Sequence, residues 1–238
     1  ADEGARTTPE AADLQRLMRR MVDNGCDCCV MEVSSHGLAL HRTMGTEIDV
    51  GVFTNLTQDH FDFHHSYEDY RRAKQKLFSA LPRGSAKRPP NVAGARDLKA
   101  SWAVINLDDP EAPHFIEASK APVITYGLSE GSDIRAEQVF VEADGVSYTA
   151  RTPQGDVDIS LRLTGRFNVY NSLAALSVAV AEGISLEKAA QGMAEAVVPG
   201  RFESVRAGQP FSIIVDYAHT PDSLRNALVT ARALTQGK

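Results

Sequence analysis

Two apolar runs rich in β-branched residues, Cys28–Val33 and Ile48–Phe53, each give way to polar residues. Glu32, Ser34, Ser35 and His36 mark the end of the first, Thr54 and Asn55 that of the second. Short continuous apolar runs closed in this way predict buried parallel strands, whose carboxyl ends carry ligand sites in open α/β sheets. Trp102–Leu107 reads likewise, ending in Asn106, Asp108 and Asp109 before a proline-initiated helix, and Pro122–Tyr126 is a further short strand. Helical spacing lies between these runs. Leu14, Leu17, Met18 and Met21 mark an amphipathic helix with Thr8 as its expected cap, Pro9 at its first position and its end near Asn24-Gly25. Ser66, with Asp69 three residues on, starts a helix whose apolar stripe holds Tyr67, Tyr70, Leu77 and Phe78. Lys74 falls on the same stripe.

From Ile134 to Leu163 the period shortens to two. Asp144-Gly145 centres a hairpin, and Val157–Leu163 continues the alternation after the turn Pro153-Gln154-Gly155. The pattern predicts a three-stranded antiparallel annex that buries one face. Thr164–Ala175 then opens a helix with Asn168 and Asn171 on one face near its amino end. A second helix, Ser185–Ala196, follows. Phe211–Val215 reads as a strand and Pro221–Leu234 as a helix capped by Thr220. Leu81–Ala100, rich in Pro, Gly and basic residues, reads as a surface loop. The fold class is α/β: a mostly parallel sheet flanked by helices, with a small antiparallel annex.

Composition narrows the function classes. The 238 residues are 43% hydrophobic, ample for a buried core. A net charge of −6 leaves no electrostatic footprint for nucleic acid or an anionic membrane surface. No apolar run approaches the length of a membrane span, and the first ten residues do not read as a signal peptide. Cys26, Cys28 and Cys29 form neither a disulfide framework nor a zinc pattern, so buried free thiols in a reducing compartment are expected.

The candidate chemistry starts from Lys74. A lysine on an apolar stripe either snorkels to water or serves a site. Glu32 at one strand end, His60 beyond the next and Lys74 on the following helix could converge on one point. Asp59, His60, Asp62 and His64 alone are a weak metal signal. Oxygen-rich sites with open positions suit magnesium held against phosphates, yet an ammonium cannot ligand a cation. The residues by themselves stop short of a mechanism.

The segments MEVSSH (31–36) with Arg42 downstream, FTNLTQDHFDFH (53–64) and YRRAK (70–74) resemble the central domain of the Mur ligases, in the branch that adds the third residue of the peptidoglycan stem peptide. The resemblance implies that Lys74 is carbamylated by CO2 and holds magnesium with Glu32 and His60. It implies that Thr7 and Thr8 of ARTTP, with Ser34 and Arg42, hold a UDP-N-acetylmuramoyl dipeptide; Arg6 stands where bacterial members usually have asparagine. Thr164–Ala175 matches the family's GxxNxxNxxAA pattern, PGRFE (199–203) its hinge and DYAHTPD (216–222) the start of its third domain. Asn168, Asn171, Arg201, Asp216, Tyr217 and His219 are accordingly expected at ATP. Residues 1–201 would be the central domain and 202–238 the first βα unit of a Rossmann-like C-terminal domain.

The implied enzyme is an ATP- and magnesium-dependent, cytoplasmic, monomeric amide-bond ligase acting on the UDP-muramoyl dipeptide and an amino acid. No G-x-x-x-x-G-K-[ST] phosphate loop occurs in the 238 residues, so they are expected to be the middle of a longer enzyme and inactive alone. In the family, the residues that select the third amino acid lie beyond Lys238. Folylpolyglutamate synthetases share the architecture, and plastid relatives in the stroma act as non-catalytic partners of the transcription machinery. MEVSSH and DYAHTPD favour the Mur branch over the former, and the retained Glu32, His60 and Lys74 favour an enzyme over the latter.

Overall fold

The computed structural model describes residues 7–57, 63–82, 100–142, 145–205, 207–209, 211 and 213–235. The chain groups into two compact units: Ala1–Gly51 with Gln58–Ala103 and Pro113–Val123, and Val52–Thr57 with Val104–Ala112 and Ile124–Lys238.

A six-stranded sheet runs in the order β1 (Val50–Phe53), β2 (Trp102–Asn106), β3 (Val123–Gly127), β4 (Ile134–Glu142), β5 (Gly145–Thr152) and β6 (Gly155–Leu161). It is mostly parallel. β3 pairs with β4 in parallel, whereas β4–β5 and β5–β6 are antiparallel, which is the expected annex. Glu142 faces Gly145 in register; Asp144 of the expected turn lies outside the described residues. Val146, Tyr148 and Ala150 alternate inward along β5, so one annex face is buried.

In the first unit, α1 (Ala11–Asp23) buries Leu14 and ends at Asn24, with Gly25 at φ 77°. The short α2 (Ser35–Ala39) is capped by Ser34, whose hydroxyl accepts from the Gly37 N–H. In α3 (Tyr67–Ala80), Ser66 accepts from the Asp69 N–H at 3.0 Å and donates to its carboxylate at 2.8 Å. Such a cap contributes about 1 kcal/mol. α3 buries Tyr70, Ala73 and Phe78, and Phe78 meets Phe115 of α4 (Ala112–Ala118) edge to face.

In the second unit, α5 (Arg166–Ala181) packs on β4 and β5, and α6 (Leu186–Ala194) packs on β6 and α5. β7 (Glu203–Val205) and β8 (Ile213–Val215) form a separate antiparallel pair, and α7 (Pro221–Leu234) starts with a complete capping box between Thr220 and Ser223. β7 is absent from the sequence reading, which placed only a hinge there.

Three expectations need correction. Cys28–Val33 forms no strand: the segment carries no sheet pairing among the described residues, and Val30 is 94% exposed. Its β-branched pattern is strand-like, but a strand exists only when a neighbour takes up its backbone groups. For the same reason Cys26, Cys28 and Cys29 are exposed, not buried. Thr8 does not cap α1, whose N-cap is Glu10, with a side chain that pairs with Arg42 instead of capping the helix; the Thr8 hydroxyl is engaged elsewhere. Of the expected loop at 81–100, residues 83–99 lie outside the described residues.

Candidate functional site

In the first unit the candidate residues gather on the two adjacent serines of MEVSSH. Ser34 anchors one side. Its N–H donates to Thr8 Oγ1 at 2.9 Å, and Thr8 Oγ1 lies 3.3 Å from the Glu32 carbonyl and 3.2 Å from Ser34 Oγ. Thr8 is 1% exposed. Gly37 is required by this packing, since a Cβ there would meet Thr8 Cγ2 at 2.8 Å. Arg42, itself buried, donates from Nη1 to the Thr8 carbonyl at 3.2 Å and pairs with Glu10 at 3.0 Å. Its Nε is buried without a hydrogen-bond partner among the described residues. A buried donor left unsatisfied costs about 1–3 kcal/mol, which an anionic ligand group would relieve. Thr8, Ser34, Arg42 and the Glu32 backbone are thus brought together. The Glu32 side chain is exposed, as is Thr7.

Ser35 anchors the other side. Its Oγ lies 2.9 Å from Nε2 of His64, which is 5% exposed. The His64 ring meets His36 at 5.6 Å, Phe63 at 4.8 Å and Tyr70 at 5.2 Å between centroids. Lys74 Nζ stands 5.2 Å over the Tyr70 ring, and Lys74 is half-buried. The contacts run from Ser35 through His64 and Tyr70 to Lys74, so the MEVSSH turn and the YRRAK helix form one assembly. His60 lies outside the described residues. Sequence reasoning gave His64 only the weak metal reading; its burial beside Ser35 has no periodic signature.

Among the described residues no three His, Cys, Asp or Glu side chains form a metal cluster. Glu32, whose side chain is exposed, would supply one carboxylate. A carbamate on Lys74 would supply a second anionic oxygen group, and this hard oxygen set fits magnesium.

In the second unit two further groups form. On α5, Asn168 is buried and donates from Nδ2 to the Thr164 carbonyl at 2.8 Å, while its Oδ1 accepts from Asn171 Nδ2 at 3.0 Å. Asn171 is exposed. Asn168 therefore holds Asn171, and Asn171 carries the accessible amide. The hinge folds onto DYAHTPD: the Phe202 N–H donates to Asp216 Oδ2 at 2.8 Å, and the Tyr217 N–H to the Gly200 carbonyl at 2.9 Å. Phe202 sits at φ 49°, an uncommon conformation held by this bond and by burial. Arg201 stacks 5.3 Å over Tyr217, whose ring meets His219 at 4.8 Å. Phe202 also meets Phe167 of α5 at 5.8 Å. Arg201, Asp216, Tyr217 and His219 thus cluster beside the amino end of α5.

Sequence reasoning named Asn106, Asp108 and Asp109 at the end of β2 but gave them no role. Asn106 Nδ2 donates to the Thr54 carbonyl at 2.7 Å, and Asp109 Oδ2 accepts from the Leu56 N–H at 3.0 Å. Tyr126, fully buried, donates to the Phe53 carbonyl at 3.1 Å, and burial together with the Asp109 charge raises its pKa. These side chains clamp the backbone of FTNL. The signal was the polar Asn106, Asp108 and Asp109 closing an apolar strand.

Comparison with known proteins gives a consistent picture. The family model for the Mur ligase middle domain matches residues 1–179, and that for the Mur ligase glutamate ligase domain matches residues 200–238. The chain is 48% identical over 233 residues to the UDP-N-acetylmuramoyl-L-alanyl-D-glutamate–2,6-diaminopimelate ligase of Geobacillus kaustophilus, covering 98% of this chain and 46% of that protein. It is 42% identical over 242 residues to the UDP-N-acetylmuramyl-tripeptide synthetase of Roseiflexus, covering 100% and 46% respectively. A solved structure of a UDP-N-acetylmuramoyl-L-alanyl-D-glutamate–2,6-diaminopimelate ligase superposes with a TM-score of 0.77 at 31% identity, covering 95% of this chain and 44% of that one. The chain spans about half the length of the curated relatives it matches.

Proposed function

The chain belongs to the Mur ligase family, and on that premise we propose that it is the central part of an ATP-dependent ligase. That ligase joins the third amino acid of the peptidoglycan stem peptide to a UDP-N-acetylmuramoyl dipeptide. The observation that supports this most is the pair of contact paths leaving Ser34 and Ser35, one to Thr8, Glu32 and Arg42, the other through His64 and Tyr70 to Lys74. Similarity to the diaminopimelate ligase and the tripeptide synthetase points to the same substrate class.

In this reading Thr7, Thr8, Ser34 and Arg42 bind the dipeptide substrate, and the unsatisfied Arg42 Nε offers a donor to an acidic group. Asn168, Asn171, Arg201, Asp216, Tyr217 and His219 bind ATP. The substrate carboxylate takes the terminal phosphoryl group of ATP, releasing ADP and giving an acyl phosphate; the amine of the incoming amino acid attacks its carbonyl, and inorganic phosphate and a proton leave. Such transfers depend on positioning and charge neutralisation more than on a protein nucleophile. Glu32, His60 and carbamylated Lys74 would hold magnesium, which would supply that neutralisation. The domain boundary falls between Arg201 and Phe202, and the full-length enzyme works as a cytoplasmic monomer.

Lys74 carries the test. An ordinary lysine, with a pKa of about 10.4, is a free amine in roughly one molecule in a few thousand at neutral pH. The Tyr70 ring attracts the ammonium, so carbamate formation gives up that contact and needs a cation in compensation. In a family-length ligase carrying this chain, Lys74→Arg should lose nearly all turnover, and the carbamate carbon signal seen with labelled bicarbonate should vanish. Lys74→Ala should be equally inactive and partly restored by acetate. Near-native turnover of Lys74→Arg would show Lys74 to be a snorkelling lysine.

A further inference from the structure

α5 is an unusual helix to position. Asn168, Val169, Ser172, Leu173, Ala174, Leu176, Ser177 and Ala179 are all buried, so apolar and small residues surround most of its circumference. A helix buried on so many faces lacks the single stripe by which packing sets rotation about the axis. Directional bonds must supply that information, and two do. Ser172 Oγ lies 2.7 Å from the buried hydroxyl of Tyr148. The Tyr170 hydroxyl donates to Asp108 Oδ2 at 2.9 Å.

Asp108 is built to receive that bond. Its carboxylate also accepts from the Leu128 N–H at 2.6 Å and the Ser129 N–H at 3.1 Å, fixing it to the turn after β3. It occupies the space beside Gly127 where a Cβ would stand, 2.8 Å from Oδ1. The Asp108 N–H is itself held by Asn106 Oδ1 at 3.1 Å, and Asn106 reaches the Thr54 carbonyl. The carboxylate is therefore an immobile acceptor, and Tyr170 sits in sequence between Asn168 and Asn171.

We propose that Asp108 is a positioning residue for the nucleotide site, fixing the rotation of α5 through Tyr170 and so the direction in which Asn171 presents its amide. This rests on the reading of Asn168 and Asn171 as ATP contacts. Neither Asp108 nor Tyr170 need touch ATP. Rotation of α5 by one residue's step, about 100°, would carry Asn171 off its face, and smaller rotations would misalign it.

The test uses a family-length ligase carrying this chain, with Tyr170→Phe, Asp108→Asn, the double variant and Asn171→Ala. Tyr170→Phe keeps the ring and should raise the KM for ATP about tenfold, the lower end of what a hydrogen bond to a charged group contributes. It should leave kcat and the KM for the UDP-muramoyl dipeptide within about twofold. Because both residues act through one bond, the double variant should be no worse in ATP KM than the weaker single variant. A Tyr170→Phe enzyme with unchanged ATP KM beside an Asn171→Ala enzyme with a raised one overturns the positioning role. Equal losses in both KM values and kcat overturn it too, since they mark a general structural defect. An Asn171→Ala enzyme with native ATP KM overturns the nucleotide reading beneath it.

Discussion

The annex of β4–β6 with α5, and the pair β7–β8 with α7, are both antiparallel strands accompanied by a helix, yet they differ in completeness. In the annex, Ile134, Ala150, Leu173 and Leu176 are fully buried and Ile159 is 1% exposed. In the other, Ile213 and Val215 are 41% and 46% exposed, and Leu228 and Val229 of α7 are above 60%. What separates them is the cover available: strands of seven to nine residues laid against α5 in one, three-residue strands with an apolar outer surface in the other. Apolar pattern specifies which face seeks burial, and only neighbouring elements provide it.

Hydrogen exchange offers the widest separation between the two regions. Amides of Val146–Ala150 should exchange through near-global opening, and those of Ile213–Val215 through local opening, at least about a thousandfold faster. Equal protection of the two sets in a monomer would show that β8 is as well supported as the annex.

Truncation of one leucine in each helix sharpens the same contrast. Leu173→Ala should cost about 2–5 kcal/mol by leaving a cavity under β4 and β5, whereas Leu228→Ala should stay within about 0.5 kcal/mol. Urea midpoints for the two variants measure this directly, and a comparable loss from Leu228→Ala would reveal cover over α7.

The smallest effect expected is the acid response of the bond that ties α5 to the turn after β2. Burial raises the Asp108 pKa, but hydrogen bonds from Ser129, Leu128 and Tyr170 outweigh it and hold the group below its ordinary 3.8. Its contribution is therefore complete above pH 3.8 and is lost as pH falls through the lower folded value. Asp108→Asn should lower stability by less than about 1 kcal/mol above that range, given the partial exposure. The gap to the native chain should close below pH 3.8. A gap that widens on acidification would contradict the assignment.

By itself the sequence determined most of the elements. The period of two from Ile134 marks the annex, and the Ser66 and Thr220 caps start α3 and α7. These are local signals: capping, side-chain period and turn chemistry act over a few residues and are legible there. Tertiary structure alone decided the rest. Thr8, suited by type to cap α1, spends its hydroxyl on Ser34 and Glu32, 26 and 24 residues away. Cys28–Val33 has the composition of a strand without the pairing. His64 meets Ser35, and Asp108 meets Tyr170 across 62 residues. Each outcome depends on which partner the fold brings to a hydrogen-bonding group, and backbone and side-chain donors alike are indifferent to sequence distance once burial removes water as the alternative.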